Sequence, residues 1–204
     1  MAEYSIQDGR RIVKTARHAV ELYLTTHNLD PKILEASVKD LKQKAGLFIS
    51  IENYPTWTPR GGAGTLKSSL PLFSFIAPTA IAAAAEDPTM VPLSHMELEH
   101  MVLVVSMPSE PTPIKHHTEA TLKKYIKLGR DGVHVEYGYH QASILPDAAL
   151  KNNWALHELL DSLCMKANLP RHALDSGAAK LYTFRVQTFK ELSPGGDIEE
   201  VKPE

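Results

Sequence analysis

The sequence predicts an α+β protein. Helical and strand patterns are mixed along it without the regular βαβ alternation that builds a parallel sheet. Near the N-terminus Val13, Ala16, Val20 and Leu24 fall at helical spacing, whereas "GLFISIE" (46–52) alternates with the period of two of a strand. At 204 residues the chain is long enough for one domain with its own core, or for two small lobes sharing one.

The first helix is expected from about Ser5 to Thr26, with Ser5 as N-cap and Arg10, Arg11 and Lys14 mostly off the apolar stripe. "NLDP" breaks it, and polar residues 35–45 hold at most a short helical turn. After the strand at 46–52 comes a long turn containing Pro55 and Pro59. A buried helix with a kink at Pro78 is expected over 71–86, stopped by "EDPTMVP". "EHMVLVVSM" (99–107) is apolar enough for a strand buried on both faces. A short helix follows from Thr118 to about Lys127, then a β-hairpin in "DGVHVEYGYHQASILP". Asn152 or Asn153 caps a helix reaching about Ala167, whose stripe includes Trp154, Leu156, Leu159, Leu160, Leu163 and Cys164. "KLYTFRVQTF" (180–189) reads as one last long strand.

Composition narrows the function classes. With 43% hydrophobic and 23% charged residues this is ordinary globular material, and a net charge of −2 does not favour nucleic acid as a partner. Lys123, Lys124, Lys127 and Arg130 form a basic cluster flanked by Glu119 and Asp131, which reads as a solvated helix face. The single cysteine, Cys164, leaves no internal disulfide, so a reduced, cytoplasmic setting is expected. The N-terminus carries charges where a signal peptide needs an apolar core, and residues 70–85 are too short for a bilayer span. A soluble protein without a membrane partner is expected.

"TPRGGAGTLKSS" (58–69) is the stretch that invites a ligand. Against the phosphate-loop pattern G-x-x-x-x-G-K-[ST] it fails, because Leu66 stands where the second glycine turns the backbone toward phosphate. The dinucleotide pattern fails as well, since Gly62 and Gly64 are followed by Lys67. No cofactor is therefore expected. A milder anion site survives: Gly61, Gly62 and Gly64 permit close backbone approach, and Arg60 and Lys67 bracket the loop with cations. A tight turn with Arg60 paired to a neighbouring acid is the alternative.

Ten histidines raise the question of metal, and the spacings answer against it. His95 and His100 are five apart and fall on different helical faces, while His116 and His117 with Glu119 lack a partner at fixed distance. "HELLD" places His157 and Asp161 on one helical face, as amphipathic-helix polar positions do. There is no Gly-x-Ser-x-Gly elbow, so that route to a serine hydrolase is not indicated, and Cys164 reads as a buried structural thiol.

The order of "GLFISIE", "RGGAG", "AAAAEDPTMVPLSHMELEHMVLVVSMPSEP", "GRDGVHVEYGYHQASILP", "NNW" through "LLDSLCMKANLP", and "LYTFRVQTFKE" resembles the AMMECR family, from about Gly46 to Glu191. The resemblance implies one AMMECR-type domain over residues 1–204. It would be an α+β fold of two unequal lobes, with mostly antiparallel sheets, flanking helices and a cleft between the lobes. The larger lobe would hold both termini and the smaller the central region. It also implies a site near the family's Leu-Arg-Gly-Cys-Ile-Gly motif, onto which Arg60, Gly61 and Gly64 carry over. Gly62 replaces the motif cysteine, Ala63 its isoleucine, Thr89 an arginine, Val104 a glutamate and Asp147 a glutamine. A reaction using that cysteine is closed to this chain.

The family has no settled reaction. The expectation is a cytoplasmic binding or accessory domain that holds an anionic small molecule or protein partner through Arg60 and the glycines, with Lys67 assisting. The alternative is an enzyme of a small-molecule or RNA modification pathway, since some relatives are associated with MEMO-type proteins and radical SAM enzymes. Its catalytic groups are unassigned; Asp147, His134 and His140 enter only if the fold brings them to the loop.

Overall fold

Ser5 opens the first helix with a reciprocal cap. The Asp8 amide donates to the Ser5 hydroxyl oxygen at 3.1 Å, while the Asp8 carboxylate accepts the Ser5 amide and hydroxyl at 3.1 and 2.7 Å. The computed structural model describes residues 4–26, 34–115, 119–170, 172–175 and 178–201. "NLDP", His116, His117 and Thr118 lie outside the described residues. In chain order the elements are α1 (Ile6–Thr26), β1 (Leu47–Asn53), β2 (Pro59–Thr65), α2 (Leu72–Ala85), a 3-10 turn (His95–His100), β3 (Met101–Pro108), β4 (Thr112–Ile114) and α3 (Glu119–Tyr125). There follow β5 (Gly132–Tyr137), β6 (His140–Ile144), α4 (Pro146–Lys151), α5 (Leu156–Lys166), α6 (His172–Asp175), β7 (Lys180–Phe184), β8 (Val186–Glu191) and β9 (Ile198–Val201). No helix among the described residues is long and apolar enough to cross a membrane.

The chain divides into two compact units, and the larger comprises Met1–Pro108 with Gln187–Lys202. Its five strands are ordered β2-β1-β3-β8-β9, and β1 is antiparallel to both β2 and β3. The period-two pattern places Leu47, Ile49 and Ile51 with Met101, Leu103, Val105 and Met107 in the core. Ile12, Val13, Ala16 and Val20 of α1 and Leu72, Ile76 and Ala80 of α2 complete that core. Val102, Val104 and Ser106 are buried too, so β3 is covered on both faces, as its composition predicts. Gly9 lets α1 lie close to β8, because a Cβ there would stand 2.2 Å from the Phe189 ring.

One charged pair sits inside this unit. Arg17 projects from the buried side of α1 and meets the Glu191 carboxylate with both Nε and Nη2. Arg17 Nη2 also donates to the Met101 carbonyl at 2.9 Å, and Glu191 accepts the Leu103 amide at 2.9 Å. The pair therefore binds α1, β3 and β8 at one point.

The second unit includes Ser109–Val186, with strands ordered β4-β7-β5-β6. Val133, Val135, Ala142, Ile144 and Leu181 form its apolar face, packed with Leu159, Leu160, Leu163 and Cys164.

Two expectations need correction, and two short strands were not expected. "KLYTFRVQTF" is not one strand: it breaks at Arg185 into β7 and β8, which belong to different sheets. The helix expected from Asn152 starts at Leu156, where the Glu158 carboxylate accepts the Ala155 amide at 2.7 Å, and Pro146–Lys151 forms its own short helix. Asn153 takes a left-handed φ of 52° between the two, a conformation asparagine tolerates well. β4 and β9 escape the pattern because one is three residues with a proline and the other is four residues with two adjacent glutamates and no alternation.

Two stability outcomes follow. Glu191→Ala removes the bidentate partner of a buried guanidinium, leaving it Glu21 at 3.5 Å and the Met101 carbonyl, and is expected to cost about 3–5 kcal/mol in urea unfolding, whereas Arg17→Met with Glu191→Leu restores part of it. Gly61→Ala is expected to cost about 1–3 kcal/mol through overpacking, since its Cβ would meet the Ala83 carbonyl oxygen at 2.2 Å. Gly62→Ala, whose nearest neighbour would be 3.7 Å away, should stay within about 0.5 kcal/mol of wild type.

Candidate functional site

The glycine-rich segment is not a loop. It forms β2, the edge strand of the larger sheet, with Ile49 opposite Ala63, Ser50 opposite Gly62 and Ile51 opposite Gly61. The glycines serve packing. Gly61 makes room for the Ala83 carbonyl at the end of α2. Gly64 has φ +154°, and a Cβ there would stand 2.4 Å from the Leu47 carbonyl oxygen. Gly62 has room for a side chain, and its amide donates to Asp87 Oδ2 at 2.8 Å. The backbone expected to be bare is thus paired at this amide. Sequence pattern missed the strand because glycine is depleted in strands and offers no alternation to read.

Arg60 is engaged on every nitrogen. Its Nε donates to Glu97 Oε1 at 2.6 Å and its Nη2 to Glu97 Oε2 at 3.2 Å. Nη1 donates to the Val91 carbonyl at 2.6 Å, and Nη2 also reaches the Pro92 carbonyl at 3.4 Å. Glu97 in turn accepts the Ser94 amide and hydroxyl, both at 2.9 Å. Asp87 holds the start of the same segment, accepting the Thr89 amide and hydroxyl at 2.8 and 2.7 Å. Leu93 is buried, and its amide donates to the Ala84 carbonyl at 2.8 Å. Residues 87–97 have almost no regular structure, yet they are tied to β2 and α2 at several points. The Glu97 signal was present in the sequence as Ser94 with a glutamate three residues on, a capping-box spacing.

This fixed segment turns apolar side chains outward. Val91 is 77% exposed and Met96 83%. Lys67 lies beyond β2 and is exposed. Elsewhere in the unit Lys190 Nζ pairs with Glu52 at 2.7 Å and lies 3.9 Å from the Trp57 ring centroid. A shallow depression of about 370 Å³ is lined by Arg17, Glu21, Leu98, Glu99, Pro194 and Gly195.

The remaining candidates lie elsewhere. His134, His140 and Asp147 belong to the second unit, on β5, β6 and α4. Asp147 pairs with Lys151 at 2.7 Å, and His157 and Asp161 are exposed on α5. Cys164 is buried. Among the described residues no group of three or more His, Cys, Asp or Glu side chains is arranged to hold a metal ion.

The Arg60 bond, opposed by partial burial and aided by the Ser94 donors, holds the Glu97 carboxyl below its ordinary pKa. A depressed carboxylate contributes stability above its unfolded pKa and loses that contribution as pH falls through the folded value. Glu97→Gln should therefore cost about 1 kcal/mol at neutral pH, discounted for partial exposure. The gap between variant and wild type should close in urea titrations below about pH 4.

A family model described as AMMECR1 matches residues 13–189. Protein MJ0810 of Methanocaldococcus jannaschii is 33% identical over 97% of this chain and 97% of its own length. A protein of Methanococcus aeolicus is 32% identical over 99% of this chain and 100% of its own. The crystal structure of the uncharacterized protein PH0010 from Pyrococcus horikoshii has a TM-score of 0.86 at 32% identity, covering 97% of this chain and 98% of that one. With the family model spanning most of its length, the chain belongs to the AMMECR1 family.

Proposed function

We propose that this protein is a binding or accessory domain, and that Arg60 and the glycine strand serve recognition by fixing a surface. The surface is the segment around Val91 and Met96, and its occupant is a protein partner presenting complementary apolar side chains. What carries the reading is the contrast within one segment. Its backbone and polar groups are bonded to β2 and α2, while Val91 and Met96 stay open to solvent. Apolar contacts on a pre-ordered backbone lose less entropy on association than those on a mobile loop. Exposed aliphatic side chains such as these suit the centre of a small interface.

An anionic ligand at Arg60 is the weaker form of this reading. Such a ligand must displace a bidentate, charge-assisted carboxylate that belongs to the same chain. Arg60 is therefore a positioning residue here, and the glycines act through close packing.

A photo-crosslinking side chain at Met96, in the native host, tests the reading, with exposed Lys14 as the control site. One discrete protein adduct is expected at Met96 and none at Lys14. Adding Arg60→Ala, with folding confirmed by its melt, should reduce the adduct about tenfold, equivalent to about 1.4 kcal/mol of binding. An adduct unaffected by Arg60→Ala, or equal labelling at both sites, would overturn it.

A further inference from the structure

The sheet of the second unit has a polar face opposite its apolar one. On β5, Val133 and Val135 point into the core and alternate with His134 and Glu136. Register places His134 opposite Ser143 on β6 and opposite Tyr182 on β7. The four polar side chains form one hydrogen-bonded chain. Ser143 Oγ lies 2.8 Å from His134 Nδ1, His134 Nε2 lies 3.3 Å from Glu136 Oε1, and the Tyr182 hydroxyl donates to Glu136 Oε2 at 2.9 Å.

The order of donors sets the chemistry. Burial first, and then its bond to Glu136, push the Tyr182 phenol above its ordinary value, so it remains a donor at neutral pH. Tyr182 occupies one carboxylate oxygen, leaving the other to accept the Nε2 proton. Nδ1 is then the acceptor, and it faces the Ser143 hydroxyl. His134 is buried, which fixes its ring, whereas Ser143 is half-buried and the Glu136 side chain 45% exposed. A nucleophile in reach of a base, with the base oriented by a third group, is the arrangement that activates serine on unrelated folds.

We propose that Ser143 is a nucleophile for activated esters, with His134 as its general base and Glu136 and Tyr182 as positioning residues. Ser143 Oγ attacks the ester carbonyl carbon as its proton passes to His134 Nδ1. The tetrahedral adduct collapses, the bond to the leaving alcohol or phenol breaks, and that group takes the proton from Nδ1. Water then attacks the acyl-serine with His134 again as base, releasing a carboxylic acid and restoring Ser143. Glu136 Oε1, 3.3 Å from Nε2, faces the transient imidazolium and stabilises it. This activity is independent of the Val91 and Met96 surface.

The test uses the full-length protein with a fluorophosphonate probe and with p-nitrophenyl acetate. A single phosphonyl adduct on the Ser143 peptide is expected, absent in Ser143→Ala. Release of p-nitrophenol should fall by at least about 100-fold in His134→Gln, the usual share of a general base. Glu136→Gln should slow it less and displace its pH profile. Ser143→Cys provides a second readout. Iodoacetamide should alkylate that thiol at least about tenfold faster than in the Ser143→Cys/His134→Gln double variant, because a histidine neighbour favours the thiolate. If His134→Gln does not fold, the Glu136→Gln pH profile decides. Labelling at exposed Tyr139 instead of Ser143, or rates indifferent to His134 or Glu136 in folded variants, would overturn the assignment.

Discussion

The buried contact between Arg17 and Glu191 is the constraint on which the larger unit depends. A guanidinium inside a core must find acceptors for its donors, and here they come from the Glu191 carboxylate, the Met101 carbonyl and, at 3.5 Å, the Glu21 carboxylate. The carboxylate is completed by the Leu103 amide. The contact therefore fixes more than a distance: it sets the rotation of α1 over the sheet and the relation of β3 to β8. The hydrophobic stripe of α1 tolerates small rotations, whereas a bidentate fork does not. With α1 fixed, Gly9 meets the Phe189 ring, and the remaining apolar side chains close around them.

The same chemical logic recurs at the surface with a different outcome. Arg60 also forks onto a carboxylate, but its other donors go to backbone carbonyls of an irregular segment. The effect is to give that segment the order that regular hydrogen bonding would otherwise supply. A cation beside glycines invites a ligand reading from sequence. In three dimensions both the charge and the Gly62 amide have partners within the chain, and the open groups are apolar.

Much of the fold was legible, for identifiable reasons. α1, β1, β3 and the hairpin of β5 and β6 each carry a periodicity or cap that local physics reads directly, such as Ser5 with Asp8. The break at Arg185 was not legible, because "KLYTF" and "VQTFK" continue one another in pattern and differ only in which sheet receives them. β2 was hidden because its glycines answer to Ala83 and Leu47, which lie far away in sequence or across a strand pair. At the candidate site Arg60 was visible and its pairing with an acid was one of two readings, but that the acid is Glu97, 37 residues on, was not read; the Ser94 spacing marked Glu97 only as a cap. His134 could be named from the sequence, but its neighbours Ser143 and Tyr182 come from strand register.

Asp87 has a consequence for how molecules of this protein behave in company. β2 lies at an open sheet margin and has few side chains to obstruct a second strand. A carboxylate on the Gly62 amide fills one position where a neighbouring molecule would otherwise add its own carbonyl. Loss of that acid would free the Gly62 amide, a donor a second strand could use edge to edge, while Arg60 would still hold the 91–97 segment beside β2. Asp87 thus occupies one hydrogen-bonding position of the sheet edge, independently of anything the domain recognises.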